Sequence, residues 1–205
     1  LENQLETIFN QHELLQVSYE DVLVLHDNSL NTFIPEAFFN EHALGSYLQY
    51  NTKVFATDFF TYDDLEAHEM KNVFVPYVAY NNFFIDHFGA FTYKHIHTNL
   101  VEFVLEETKK NEKEVVYVHL DLDHFDVIVS KNGTLQFFNS FEFQTPEDFI
   151  YYILFVFEQL KLDVENVPLY LFGNIQEDDQ NYQIAYNYVR NVSVLNIESR
   201  ANTVN

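Results

Sequence analysis

The stretch Val115–Gly173 decides the fold: it reads VVYVHLDLDHFDVIVSKNGTLQFFNSFEF (115–143), TPEDFIYYILFVFEQL (145–160) and VPLYLFGN (167–174, one residue beyond the glycine). Val116, Val118, Leu120 and Leu122 alternate with Tyr117, His119, Asp121 and Asp123, the period of two that gives a strand two unlike faces. The phase changes at Asp123–His124, after which Phe125, Val127 and Val129 form the inward set, so a turn or bulge belongs there. Lys131-Asn132-Gly133 carries the Asn-Gly signal of a hairpin, and Leu135–Phe143 returns as a third strand. Thr145-Pro146-Glu147-Asp148 predicts a helix start, with a capping hydroxyl, proline in the first turn and acids near the positive end of the helix dipole. That helix runs to about Leu160. Phe149, Ile153, Val156, Phe157 and Leu160 make one face, but Ile150, Leu154 and Phe155 make it apolar nearly all round, which predicts burial on more than one side, between two layers or against a partner. Val167–Phe172 is a continuous apolar strand, as expected inside a covered sheet, and it ends at Gly173.

Working outward, Asp178-Asp179 open a helix with Tyr182, Ala185, Tyr186 and Val189 on one face, Val192–Leu195 is a last strand, and Ile197–Asn205 reads as a loose polar tail. Upstream, the pattern predicts a helix over Leu1–Gln16, strands at Asp21–His26 and Thr32–Ile34, and a helix from Pro35 through EAFFNEHALGSYLQYN. Thr52–Phe60 reads as extended and Thr61–Met70 as a polar loop or short helix. Val73–Val78 is a strand, Tyr80–Phe88 a short helix stopped by Gly89, and Phe91–Thr98 a strand. Asn99 is placed to cap a helix over Leu100–Lys110. The charged run Lys109–Glu114 is the one convincing linker, which sets expected domains at 1–110 and 111–205.

Composition narrows the function. Thirty-two acidic residues against ten basic ones give a formal net charge of −22. Only Arg190 and Arg200 are arginines, and no Lys/Arg cluster exists to grip phosphates, so nucleic acid is not an expected partner. Anionic membrane surfaces are disfavoured for the same reason, and the longest apolar run, Phe149–Phe157, falls short of the roughly 20 residues a spanning helix needs. A basic protein partner, by contrast, fits this charge. The chain holds no cysteine, which removes thiolate chemistry and cysteine zinc sites and, with no signal peptide in view, leads to an expected cytoplasmic location.

Three groups of residues invite chemistry. His119-x-Asp121-x-Asp123, with His124 and Asp126 after the turn, offers imidazoles and carboxylates for a divalent cation or for proton transfer. A ribonuclease H-type metal pair would also need Glu158 or Asp178, yet the fourth strand ends in Phe172-Gly173-Asn174 without an acid, and alternate strand residues stand roughly 6.5–7 Å apart. Nucleotide binding would use Asp121 for a magnesium ion and Gly173 near the base. Phosphate-holding loops need glycines so that backbone N–H groups approach the ligand. The four glycines here, Gly45, Gly89, Gly133 and Gly173, are never adjacent, and bulky or charged residues fill the Asp121–His124 turn. His95-x-His97 puts two imidazoles on one strand face, without a third ligand in the sequence.

Four segments carry a family likeness: Thr32-Phe33-Ile34-Pro35-Glu36-Ala37-Phe38-Phe39; Val73-Phe74-Val75-Pro76-Tyr77-Val78 with Asn81-Asn82-Phe83; Gly89-x-Phe91-x-Tyr93-Lys94-His95; and Leu169-Tyr170-Leu171-Phe172-Gly173. With them the chain resembles a bacterial family of unknown function whose members adopt an actin-like ATPase fold. The resemblance implies α/β architecture with two ribonuclease H-like subdomains, mixed sheets flanked by helices. It also implies that the opening strand hairpin of the first subdomain is missing before Leu1. It carries no catalytic residues. The expected function is a non-catalytic scaffold or protein-binding module, with no cofactor, whose partner is another protein or a second copy of the chain. The alternatives are a degenerate ATPase or kinase relative binding ATP with magnesium, with Asp121, Asp123 and Gly173 as its candidate residues, and a metal nuclease using His119, Asp121 and Asp123.

Overall fold

The computed structural model describes residues 2–50, 52–55 and 57–196; Leu1 and the tail 197–205 lie outside them. By its internal contacts the chain divides into two units, Leu1–Asn99 and Leu100–Asn205.

The first unit begins with α1 (Glu2–Gln11), followed by β1 (Leu23–His26) and β2 (Asn31–Pro35). The helix expected after Pro35 is broken into two short 3-10 turns and the five-residue α2 (Leu44–Leu48). Then come β3 (Thr61–Leu65), β4 (Met70–Phe74), α3 (Val78–Phe88), β5 (Thr92–His95) and α4 (Ile96–Thr108), and the division between units falls within α4. β2, β4 and β3 form an antiparallel sheet in that order, while β1 and β5 pair in parallel. Gly89 ends α3 at φ +75, its N–H donating to Ile85 O.

A buried polar network ties this unit together. The Asp63 carboxylate accepts from Thr98 Oγ1 at 2.6 Å and from the His95 backbone N–H at 2.8 Å. Asn72 Nδ2 donates to Thr98 Oγ1, Asn31 Nδ2 donates to Asn72 Oδ1, and His97 Nδ1 lies 2.9 Å from Asn31 Oδ1. Each link joins a different strand or the start of α4, so the network fixes their mutual register where apolar contacts would slide. Thr61–Leu65 is therefore a strand and not the expected loop: its inward residues are Asp63 and Leu65, and the first hides the strand's period behind a carboxylate.

The second unit holds β6 (Glu114–Leu120), β7 (His124–Lys131), β8 (Thr134–Glu142), α5 (Pro146–Gln159), β9 (Leu169–Gly173), α6 (Gln180–Tyr188) and β10 (Val192–Val194). They form one sheet in the order β10-β9-β6-β7-β8, with β10, β9 and β6 parallel and β7 and β8 antiparallel. α5 and α6 cover one face through Phe149, Ile153, Val156, Phe157, Ala185 and Val189. The α4 residues from Leu100 onward serve the other, where Thr108 Oγ1 lies 2.7 Å from Ser130 Oγ and Phe103 packs on Phe172. Thr145 caps α5 in a reciprocal box: its hydroxyl accepts from the Asp148 N–H, and the Asp148 carboxylate accepts from the Thr145 N–H, holding two otherwise orphaned amides. Leu122, expected to face inward, is 82% exposed because β6 stops at Leu120 and the chain turns there.

His26 supplies a pH handle on the first unit. Its Nδ1 accepts the Tyr77 N–H at 3.4 Å, so Nε2–H donates to Asn81 Oδ1 at 2.9 Å. Burial pushes its pKa below the ordinary 6.5, against the opposing pull of the Asn81 bond and Asp63. Between that lowered value and 6.5 the unfolded chain binds the proton and the folded chain does not, so stability falls as pH drops through this window. Urea unfolding monitored between pH 7.5 and 5.5 is expected to show a shallower loss in His26→Gln than in the parent chain; equal slopes would contradict the assignment.

Candidate functional site

The parallel strands β6, β9 and β10 end side by side. Leu120 pairs with Gly173, His119 with Phe172, and the Leu195 N–H donates to Leu171 O. Their carboxyl ends open on a cavity of about 670 Å³ lined by Leu100, His119, Phe172, Gly173, Ile175 and Gln176, among others. Crevices outside the carboxyl ends of parallel strands are where open α/β sheets bind ligands, and this volume lies within the small-molecule range.

His119 is the titratable side chain best placed there. It sits on the sheet face opposite α5, in a row that crosses three strands: His119 of β6 faces Asp126 of β7, which faces Ser140 of β8. His119 Nδ1 lies 3.2 Å from Asp126 Oδ2, and Ser140 Oγ donates to Asp126 Oδ1 at 2.6 Å. Asp126 is 1% exposed. A carboxylate held at Nδ1 orients the imidazole and leaves Nε2 for another partner, and that atom lies on the Gly173 side of the ring. The row can accept, hold or release a proton at the cavity wall.

The β6–β7 turn follows directly. The Asp121 N–H donates to His124 O at 3.0 Å, and the Leu122 N–H donates to Asp121 Oδ1 at 2.7 Å. Asp123 Oδ1 lies 3.0 Å from His124 Nδ1, a contact that holds the Asp123 carboxyl below its ordinary value. The turn thus gathers two carboxylates, and two of its amides are already bonded.

Gly173 has φ +91, and a Cβ there would stand 2.3 Å from Leu120 O and 2.9 Å from His119 Cδ2. Glycine is required because the end of β9 presses on the end of β6, whatever else the cavity holds.

The structure brings His119, Asp121, Asp123 and Gly173 to one end of the sheet. It does not complete a metal site from them: among the described residues, Asp121 and His124 offer ligand atoms within 4.8 Å of each other, but no three groups drawn from His119, Asp121, Asp123, His124, Asp126, Glu158 and Asp178 come within that reach of one another. Glu158 stands exposed on α5 and Asp178 is exposed before α6. His95 and His97 are buried, the first at the end of β5 and the second in α4 and so not on one strand face, and they belong to the network of the first unit, where the His97 N–H donates to His95 Nδ1. The sequence does not single out Ser140; the one signal it offers is a small hydroxyl inside the aromatic run of the third strand.

The family described as "Protein of unknown function (DUF3822)" matches residues 1–192. The chain belongs to this family. Among solved structures, a Bacteroides thetaiotaomicron protein of actin-like ATPase fold and unknown function aligns over 98% of this chain and 79% of its own, at 22% identity and a TM-score of 0.86. That likeness establishes the actin-like ATPase fold for the DUF3822 chain, with mixed sheets flanked by helices. A PilM–PilN type IV pilus biogenesis complex aligns over 95% of this chain and 74% of its own at 10% identity and a TM-score of 0.49. An AlfA filament bound to AMPPNP aligns over 57% and 47% at 14% identity and a TM-score of 0.35. Neither of these two is close enough to carry an argument. No curated protein matches the sequence. Among the described residues no helix is long and apolar enough to cross a membrane.

Gly89 and Gly173, both at positive φ, make a paired prediction. Gly89 has nothing within 4 Å of an added Cβ, so Gly89→Ala costs the backbone strain alone, about 1–3 kcal/mol. Gly173→Ala adds a collision with backbone that cannot move without parting β6 from β9. Hydrogen exchange is expected to show faster opening of β9 in Gly173→Ala than of α3 in Gly89→Ala; the reverse order would contradict the close approach.

Proposed function

We propose that this DUF3822 protein is a non-catalytic actin-like-fold module that acts by binding another protein. The observation that carries this reading is the β6–β7 turn. A phosphate-gripping turn presents free amides to an anion. Here the Asp121 and Leu122 amides are bonded within the turn, and the turn itself carries the carboxylates of Asp121 and Asp123, whose charge opposes an anion. The formal charge of −22 adds to that repulsion. Binding of a protein is supported by aromatic side chains that leave the core: Tyr151 and Phe155 of α5 are 62% and 44% exposed.

The cavity beside Gly173 favours a second reading, in which the chain retains a nucleotide and Asp121 would hold its magnesium ion. The ribonuclease H-type reading is set aside, because Asp121, Glu158 and Asp178 do not come together among the described residues.

Isothermal titration of the full chain with ATP–Mg²⁺, paired with a phosphate-release assay, separates the two. The first reading expects neither saturable heat nor turnover, and micromolar binding with turnover would overturn it. If binding is seen, Asp121→Ala is expected to abolish its magnesium dependence, and unchanged affinity would remove the second reading.

A further inference from the structure

We propose that the outward stripe of α5 is the docking surface, and that its occupant is a basic amphipathic segment of another protein. This rests on the reading of the chain as a protein-binding module. At about 100° per residue, Glu147, Tyr151, Phe155 and Glu158 fall within about 80° of arc, so they form one line along the helix. All four are exposed, and the opposite side of α5 is fully committed to the sheet through Phe149, Ile150, Ile153, Val156 and Phe157.

The aromatic pair is held before any partner arrives. Phe141 stacks on Tyr152 at 4.8 Å between centroids, Tyr152 meets Tyr151 edge-on at 5.3 Å, and Tyr151 lies parallel to Phe155 at 6.5 Å. This chain of rings runs from the sheet to solvent, so Tyr151 lies against packed rings, and its ordering is not left to be completed on binding.

Charge selects the occupant. The two rings are bracketed by Glu147 and Glu158, about 17 Å apart along the axis at 1.5 Å per residue. A second copy docking antiparallel would set Glu147 against Glu158 at both ends, and one docking in parallel would set each glutamate against itself. Both arrangements oppose like charges. An anionic membrane or a nucleic acid meets the same repulsion. A segment with Lys or Arg at its two ends and apolar residues between them complements every position, and its cations can also lie over the exposed ring faces.

The test uses a fluorescein-labelled helical peptide with lysines eleven residues apart and leucines at the two intervening positions of that face. The control peptide has glutamates for the lysines. Fluorescence anisotropy with the full chain is expected to show the lysine peptide binding at least about tenfold tighter, with affinity falling as salt rises. Glu147→Lys with Glu158→Lys is expected to reverse the preference, and Tyr151→Ser with Phe155→Ser to remove binding of both peptides. Circular dichroism and unchanged urea midpoints confirm that the variants fold, since all four side chains are outside the core. Equal binding of the two peptides, no binding of either, or an unchanged preference in the charge-swapped variant would overturn the proposal. So would a concentration-dependent dimer lost in the Tyr151/Phe155 variant, which would assign the stripe to a second copy. ATP turnover by the parent chain would overturn the non-catalytic reading, and is measured separately from any of these outcomes.

Discussion

The second unit depends on the burial of β6 on both faces. Val115, Val116, Tyr117 and Val118 are all buried in succession, which a strand achieves only when both sides of its sheet are covered. Its backbone must then be paired on both edges, and it is, antiparallel with β7 and parallel with β9. The two pairings fix where the chain can do anything else. β6 and β9 end together at Leu120 and Gly173, the turn into β7 falls at Asp121–Asp123, and His119 is the last residue of β6 to look away from α5. The cavity, the proton-holding row and the carboxylate-bearing turn are consequences of one strand's placement.

That placement was legible in the sequence because local signals agree with one another. The alternation through Leu120, the phase change before Phe125, the Asn-Gly turn, and the Thr145-Pro146-Asp148 helix start each name the same fold, as a consistent sequence should. What could not be read has specific physical causes. A two-residue turn at Asn132-Gly133 carries the register Lys131↔Thr134 through the hairpin and would set Asp126 opposite Asn139; the irregularity between Val129 and Ser130 shifts it by one and brings Ser140 there instead. A single extra residue in one strand thus created the Asp126–Ser140 bond. β3 is hidden in the sequence because one of its inward residues is the buried Asp63, and α4 begins four residues before the expected Leu100 because it follows β5 directly, without the spacer and cap expected at Asn99.

The functional reading gained most where the pattern had two explanations. A helix apolar on all sides predicts either two buried faces or a partner, and α5 has one buried face and one aromatic stripe in solvent. Nucleotide binding would place Gly173 near the base; its φ and the nearness of Leu120 O account for the glycine by strand packing. The Asp121–His124 turn is held by bonds of its own. Two of its amides are bonded within it, to His124 O and to the Asp121 carboxylate, and are not presented to a phosphate.

The account is tested most directly at that turn. Amide resonances of Leu122, Asp123, His124 and Gly173 followed in nitrogen–proton correlation spectra of the full chain, as ATP–Mg²⁺ is raised to millimolar concentration, report on the turn and the strand end separately. The account predicts no saturable shift at any of the four. Saturable shifts shared by the turn amides and Gly173 would contradict it and return the site to a nucleotide.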